Sequence, residues 1–474
     1  MIVTDSNRLG DLAMDVTAQL GAFAAALKYG DIPPDVRERC RMSVLDAIGI
    51  MLGAADFARH EGDRCLKNYL EAAAPPGNAT VFGHAIRTTA LMAAFANGTQ
   101  MEVLDYQDSN VEASMHSGTP ILPPALALAE THPLTWAALV AAIIAGYEVH
   151  TRLLLGIQMS HWYKGFQGTG TFGTCGAATT AARLLGLDAG GITAALGISG
   201  FVMPVSNGDN QFKGYNVKPV HGGQAAMCGL SSAYMAQAGY RGGPLEGEPP
   251  RHHAVLHILS DGPNLERIVA GLNEIWYTRD VYYKPYPVGG LFIGVIELIL
   301  ALRAEHRIKA DDVASVDIIT YKHAVVFTGK KYTNTDSNYV DAHLSIPYCV
   351  AAALYDGEMT TRQLFRERLR DTKLHQLASR VTVSEDLDMT KAFPYEWPAK
   401  VAIRMQDGAT LERRVDRVKW SPRLIPTWEE LSQKFRLVAD PVIGPGRARQ
   451  AVEIVAELKE GSTLASLIET VQLQ

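Results

Sequence analysis

The sequence predicts a mainly α-helical protein with a smaller α+β part. Apolar residues recur at helical spacing in three runs rich in Ala, Leu and Met, at 12–55, 87–101 and 120–157. Segments that alternate like strands are expected for the first time beyond residue 281. A helical pattern returns after Pro422. We therefore predict a large all-helical domain made of both chain ends and a smaller α+β lid domain between them. The predicted boundaries are 1–283, 284–420 and 421–474.

Composition narrows the class of protein. The 474 residues are 47% hydrophobic and 20% charged, with a formal net charge of -6, so nucleic acid and anionic membranes are not expected as partners. No uninterrupted apolar run of about 20 residues occurs, and residues 1–16 lack a signal-peptide pattern, which predicts a cytoplasmic protein. The five cysteines lie far apart without a CxxC pair, so neither a metal site nor a disulfide framework is indicated.

The first helical run is divided by a Gly-Asp-Ile-Pro-Pro turn at 30–34. The glycine-rich stretch GFQGTGTFG at 165–173 could hold a phosphate, but it lacks a GxxxxGK[ST] motif and no strand precedes it. Close packing at a helix start is the favoured interpretation. Lys218 and His221 precede the next predicted helix, where they could hold a carboxylate.

Residues 253–257 contain His253 and His257 at a spacing that would suit a metal pair, but no third ligand is near and ordinary helix histidines are favoured. KPYPVGG at 284–290 has the composition of a hinge. After it, strands are predicted in VASVDIITY, SRVTVSE and AKVAIRMQDGATLERRV. The last segment predicts a hairpin that turns at Asp407-Gly408.

The richest polar stretch is MEVLDYQDSNVEASMHSGTPILPP at 101–124. Asp105, Asp108, Ser109 and His116 lie within one loop between two apolar helical runs, where such residues suit the polar floor of a binding site. The alternative is that an Asp or Ser caps a helix and His116 is an ordinary histidine.

Together with VRERCRMSVLDAIGIMLGA, GTGTFGTCGAATTAARLLGLD, KPVHGGQAAMCGLSSAYMAQAG and KPYP, this loop resembles the MmgE/PrpD family, in the right order along nearly the whole chain. The resemblance implies a helical domain, an α+β lid and a homodimer. It also implies dehydratases, decarboxylases or epimerases that act on small di- or tricarboxylic acids without a metal or other cofactor. Such enzymes move a proton at a carbon next to a carboxylate.

The resemblance also assigns roles to individual residues. The expected catalytic residues are His116, Asp105, Lys218 and Lys284. Residues expected to contact the substrate are Asp108, Ser109, Gln167, His221 and Tyr332. His323 and His343 are expected to be structural.

Two positions depart from the family pattern. Gln167 stands where decarboxylases and dehydratases of the family resemble GFHxTGTxG, and Val288, Gly289 and Gly290 follow KPYP where Cys, Arg or His is frequent. An amide cannot act as a general acid or base. The leading hypothesis is therefore a cofactor-independent lyase that uses His116 as its acid/base. An isomerase or epimerase of a dicarboxylate such as iminodisuccinate is the alternative, and a non-catalytic carboxylate-binding homologue is the third.

Overall fold

A computed structural model describes residues 15–248, 253–329 and 334–473, and it is mainly α-helical with an α+β part, as predicted. The helices within these ranges are α1 (Val16–Ala26), α2 (Pro34–Glu61), α3 (Cys65–Ala73), α4 (Ala90–Val103), α5 (Leu122–Thr131), α6 (Trp136–Ile157), α7 (Ser160–Tyr163), α8 (Gly173–Leu184), α9 (Ala189–Val202), α10 (Asp209–Phe212), α11 (Val220–Gln237), α12 (Val255–Ile258), α13 (Leu265–Val269), α14 (Ile293–His306), α15 (Lys322–Ala324), α16 (Tyr339–His343), α17 (Ile346–Asp356), α18 (Arg366–Leu369), α19 (Thr372–Ala378), α20 (Leu387–Ala392), α21 (Trp428–Ile443), α22 (Pro445–Glu457) and α23 (Ala465–Val471). The strands are β1 (Pro76–Val81), β2 (Ile86–Thr88), β3 (Val313–Thr320), β4 (Val381–Glu385), β5 (Ala399–Met405) and β6 (Thr410–Val415).

The larger sheet has the strand order β4-β3-β5-β6, with β3 and β4 parallel and the other pairs antiparallel. The predicted hairpin is confirmed, because Arg404 pairs with Thr410 and the chain reverses at Asp407-Gly408. Gly408 has a φ of 91°, a conformation that glycine adopts without strain.

A second, two-stranded sheet corrects the expectation that strands begin only after residue 281. β1 and β2 pair antiparallel well inside the predicted helical domain. Their sequences, PGNATV and IRT, are short and carry little apolar alternation, so the pattern that identifies a half-buried strand is missing.

Most buried apolar residues belong to one of two large hydrophobic cores. The larger core joins residues from α1 through Val281 to residues from Phe435 through Val471, so that both chain ends contribute to it. The second core is built mainly from residues 288–418, and side chains from α2 and α4 enter it. The exact domain boundaries at 283/284 and 420/421 stay predictions.

One helix in the described ranges, Trp136–Ile157, is long and apolar enough to cross a membrane by composition. In the folded chain, however, 94% of its most apolar window is buried. It packs against α8 and α2 in the larger core. Its apolar character is therefore accounted for by burial inside the protein.

The crossing of α4 and α11 brings polar residues together from distant parts of the chain. A Cβ on Gly98 would lie 2.9 Å from Cα of Gly223, so the two backbones approach as closely as only glycine allows. Glu102 lies one turn after Gly98 on α4, and the start of α11 places Lys218 and His221 opposite it. The close approach of the helices therefore positions a buried polar cluster.

Candidate active site

The loop between α4 and α5 is attached to the segment that carries Lys284. Ser109 and Tyr282 form an antiparallel bridge, with N–H to carbonyl distances of 3.0 and 2.9 Å. A second bridge joins Asn110 to Met115 and folds the loop back on itself. The 101–124 stretch and the KPYP segment are far apart in sequence. In the folded chain they lie side by side and line one cavity.

Asp105 is held by both predicted lysines. Lys284 Nζ donates to the Asp105 carbonyl at 2.7 Å and lies 3.1 Å from Asp105 Oδ1, and Lys218 Nζ lies 3.6 Å from the same oxygen. Burial would raise the pKa of Asp105, but the two ammonium groups outweigh it and hold the pKa at about 2. The φ of 49° at Asp105 lies in a region that non-glycine residues rarely adopt. Such strain is frequent at functional sites.

A further carboxylate, Glu102, lies at the centre of the cluster and was not identified from the sequence. Lys218 Nζ donates to its Oε2 at 2.6 Å, and His221 Nε2 lies 3.2 Å and His116 Nε2 4.0 Å from the same oxygen. Burial opposes ionisation of Glu102, yet Lys218 and the histidines hold its pKa well below the ordinary value. The same carboxylates raise the pKa of Lys218 against the effect of burial. The pair is therefore ionised at neutral pH.

His116 lies at the edge of this cluster and faces the cavity. Its Nδ1 shares a hydrogen bond of 2.6 Å with Ser109 Oγ, and its Nε2 lies 3.6 Å from Asp105 Oδ1. Its backbone N–H donates to Thr169 Oγ1 at 2.9 Å, which fixes the loop against the glycine-rich segment. Burial lowers the pKa of His116 to about 4, although Glu102 opposes the shift. The imidazole is therefore neutral at about pH 7 and able to accept a proton.

Asp105, Ser109, His116, Gln167 and Lys284 together line a cavity of about 130 Å³. This is smaller than the roughly 300–1,000 Å³ of a site for a drug-sized ligand, so a small molecule fits it better. Lys218 and His221 instead line a second cavity of about 190 Å³. Gln167 borders both cavities.

Asp108 is placed away from the cavity. Tyr147 O–H and Gly118 N–H donate to its two carboxylate oxygens, each at 2.8 Å, and Ser43 adds a longer contact of 3.3 Å. Burial raises the pKa of Asp108 to about 6, even though these donors oppose the shift. Asp108 is not among the described residues that line the cavity, and its hydrogen bonds tie the 101–124 loop to α2 and α6. Its contact with a substrate stays a prediction. Tyr332 lies outside the described residues.

Side chains that were expected to be structural, or that had no predicted role, complete the cavity. His323, Trp162, Phe327 and Phe393 also line it. His343 is buried, and its carbonyl accepts from Gly289 N–H at 2.8 Å. Glu102 has one usable signal in the sequence, because it is a single acid in the apolar helix that leads into the loop. The aromatic residues have none, because their pattern is that of ordinary core residues.

In the described part of the chain, no group of three or more His, Cys, Asp or Glu side chains is arranged to hold a metal ion. The acids of the cluster are instead neutralised by lysines at 2.6 and 3.1 Å. This arrangement can move a proton through His116 and stabilise negative charge through the ammonium groups.

Comparison with known proteins gives concordant results over the whole chain. The family model for the MmgE/PrpD N-terminal domain matches residues 18–266, and the model for the MmgE/PrpD C-terminal domain matches residues 286–460. Among similar proteins are cis-aconitate decarboxylase of Aspergillus terreus, 25% identical over 96% of this chain and 95% of the relative, and that of Homo sapiens, 25% identical over 96% and 94%. The protein of the same name from Mus musculus is 24% identical over 94% and 91%. With both family models matched in order along most of its length, the chain belongs to the MmgE/PrpD family.

Proposed function

We propose that this protein is a cofactor-independent lyase that removes water or carbon dioxide from a small di- or tricarboxylic acid. Family membership and relatives named as decarboxylases support the lyase class. The observation that carries the proposal is the neutral imidazole of His116 at the cavity surface, with Ser109 on Nδ1 and Asp105 near Nε2.

In the dehydration reaction, Nδ1–H of His116 donates to Ser109 Oγ, and Nε2 takes the proton from the carbon next to a substrate carboxylate. The ammonium group of Lys284 stabilises the negative charge that moves onto that carboxylate. Asp105 stabilises the imidazolium that forms. The C–O bond then breaks, the electron pair of the former C–H bond becomes the alkene, and the imidazolium returns its proton to the leaving hydroxyl as water.

Decarboxylation needs the opposite starting state, because the carbon that loses carbon dioxide must receive a proton. The C–C bond breaks, its electron pair passes to the carbon skeleton, and the His116 imidazolium protonates that carbon. Since the pKa of His116 is lowered to about 4, this route requires the bound carboxylates to raise it. The free enzyme is therefore better prepared to remove a proton than to supply one.

Epimerisation is a second candidate function, favoured by the amide of Gln167 on the cavity wall. Gln167 can hold a substrate but cannot protonate a leaving group. An epimerase needs no leaving group, since the proton removed from carbon is returned to the opposite face.

The test is proton NMR of the purified protein in deuterated water with citrate, 2-methylcitrate, cis-aconitate, itaconate and iminodisuccinate-like acids. We expect a C–H signal to disappear while a new alkene signal or a decarboxylated product appears. Deuterium exchange without a new skeleton would replace the lyase by the epimerase. Saturable binding of acids without any chemical change would replace both by a non-catalytic binding protein.

A further inference from the structure

The cavity has two chemically different sides. Its floor carries Asp105, Ser109, His116 and Lys284. The rings of Trp162, His323, Phe327 and Phe393 also line it, and we refer to these four rings as the aromatic wall. A polycarboxylate without an apolar substituent would need the polar floor but not the aromatic wall.

The aromatic wall is a packed unit contributed by both parts of the fold. Trp162 comes from α7, while the other three rings come from residues 323–393 in the α+β part. Trp162 and Phe327 meet edge to face with ring centroids 4.2 Å apart, and His323 stacks on Phe393 at 4.9 Å. Phe393 also stacks on Tyr321 at 4.5 Å. These contacts hold the rings in place, so the wall is formed before any ligand binds.

Among the described residues that line the cavity, the acidic and basic side chains other than histidine are Asp105 and Lys284. Among the described residues lining the cavity, Lys284 is the single lysine, none is an arginine, and Asp105 lies 3.1 Å from its ammonium group. Leu291 and Leu344 add further apolar surface. A carboxylate placed against the four rings would lose its hydration without gaining an ammonium or guanidinium partner among the described lining residues. An alkyl group in the same position would instead be removed from water, a gain of about fourfold in affinity per CH₂.

We propose that the substrate carries an apolar arm that lies against the aromatic wall while its carboxylates lie at the floor. Within the proposed function, on which this inference rests, the substrate class is then an alkyl-substituted dicarboxylic acid and not a tricarboxylic acid. Phe327 and Trp162 are the residues that determine this specificity.

A matched pair of acids tests the inference by binding alone. Citrate and 2-isobutylmalate have the same number of heavy atoms and the same malate core, and they differ in carrying a carboxymethyl or an isobutyl arm. We expect calorimetric titration of the purified protein to give a dissociation constant at least about tenfold lower for 2-isobutylmalate. 2-Methylmalate, with a shorter apolar arm, should fall between the two. Equal or tighter binding of citrate would overturn the inference.

A variant tests whether the aromatic wall is the cause. Phe327→Ala should weaken binding of 2-isobutylmalate severalfold more than binding of citrate, so that the ratio of the two dissociation constants moves toward one. Tyr395→Ala, at an aromatic residue that is 66% exposed, is the matched control and should keep the wild-type preference. An unchanged preference in Phe327→Ala would overturn the assignment of the wall.

The two proposals can fail separately. A preference for citrate together with turnover in the NMR assay overturns this inference alone. A preference for the isobutyl arm without chemical change of any acid overturns the proposed lyase and leaves the binding inference standing. Failure of all three acids to bind overturns both.

Discussion

Glu102 is the carboxylate that keeps the buried ammonium group of Lys218 charged. Its carboxylate is fully buried and accepts a hydrogen bond of 2.6 Å from the ammonium group of Lys218. If a buried ion pair loses one partner, the charge that remains is left without compensation. The contribution of Glu102 to stability and its effect on the neighbouring histidines can therefore be tested with a variant of nearly the same shape.

Glu102→Gln should lower the free energy of unfolding by up to about 3–5 kcal/mol, because the buried Lys218 ammonium keeps only its longer contact of 3.6 Å with Asp105 as an ion pair. Urea denaturation at neutral pH measures the change. Glu71→Gln is the control, since Glu71 is 53% exposed and its contact with Lys67 is a surface pair of 3.7 Å. Equal stability of Glu102→Gln and wild type would contradict the assignment of an ionised Glu102–Lys218 pair.

His116 gives the protein a pH dependence of defined sign. Its pKa is lowered to about 4 in the folded chain, whereas an unfolded chain has a value of about 6.5. Between these values the unfolded chain binds the extra proton, so the free energy of unfolding falls as the pH is lowered.

His116→Gln should reduce this slope by up to about 1.4 kcal/mol per pH unit. Some slope remains, because burial also lowers the pKa of His150 to about 3 and that of His161 to about 4. Urea titrations in steps between about pH 6.5 and 4 measure the slope. His60→Gln, at a side chain that is 61% exposed, is the control. An identical slope in His116→Gln and wild type would show that His116 is not held neutral by the fold.

At the scale of elements, the crossing of α4 and α11 is what brings Glu102 to Lys218. A Cβ on Gly223 would lie 2.2 Å from the Phe95 carbonyl oxygen, which cannot move without moving α4. Gly223→Ala should therefore force the helices apart and lower the free energy of unfolding by about 1–3 kcal/mol. Gly30→Ala is the control, because a Cβ at Gly30 meets nothing within 4 Å. Denaturation curves of both variants measure their free energies of unfolding, and equal values would contradict a close crossing.

Elements formed by local signals could be predicted from the sequence. The β5–β6 hairpin was found because alternation and the Asp407-Gly408 turn lie within one segment. α2 follows the predicted turn, with Pro34 at its first position and Gly62 in the left-handed conformation after its end. The crossing of α4 and α11 could not be predicted, since the residues that meet are more than 100 positions apart and helical periodicity carries no information on partners.

At the site, too, residues with a local signal could be predicted and residues defined by distant contacts could not. His116, Asp105, Ser109 and Lys284 were predicted through polar composition and family resemblance, and the structure gathers them around one cavity. Glu102 and the aromatic wall were missed because their significance arises only from tertiary contacts.

At the scale of the whole molecule, the cavity lies where the two cores meet. Lys434, from the C-terminal part of the chain, donates to the Tyr106 carbonyl at 2.8 Å and pairs with Asp46 at 2.7 Å. The last 50 residues therefore support the 101–124 loop directly. Periodicity predicted that this tail is helical, and the return to the first core followed from the simplest arrangement of the domains.

We propose that the protein is a homodimer, as the family resemblance implies. Large apolar side chains are exposed at the end of α9 and before α11, where Phe201 is 90%, Val205 69% and Tyr215 59% exposed. We propose these three side chains as the contact surface between the two chains. Light scattering should give twice the chain mass of 51.4 kDa, and Phe201→Glu should shift the mass toward one chain. Leu387→Glu, at a side chain that is 71% exposed on α20, should remain dimeric. A wild-type mass of one chain would contradict the proposal.

In the proposed reaction His116 moves the proton at the carbon next to a carboxylate, and the turnover of His116→Gln tests this role. With the acid that the wild type converts, the variant should lose about 10²–10⁴-fold in kcat, as expected when a general acid or base is removed. It should still bind the acid and unfold cooperatively, and His60→Gln should turn over like the wild type. Wild-type turnover by His116→Gln would contradict the account and assign the proton transfer to another group.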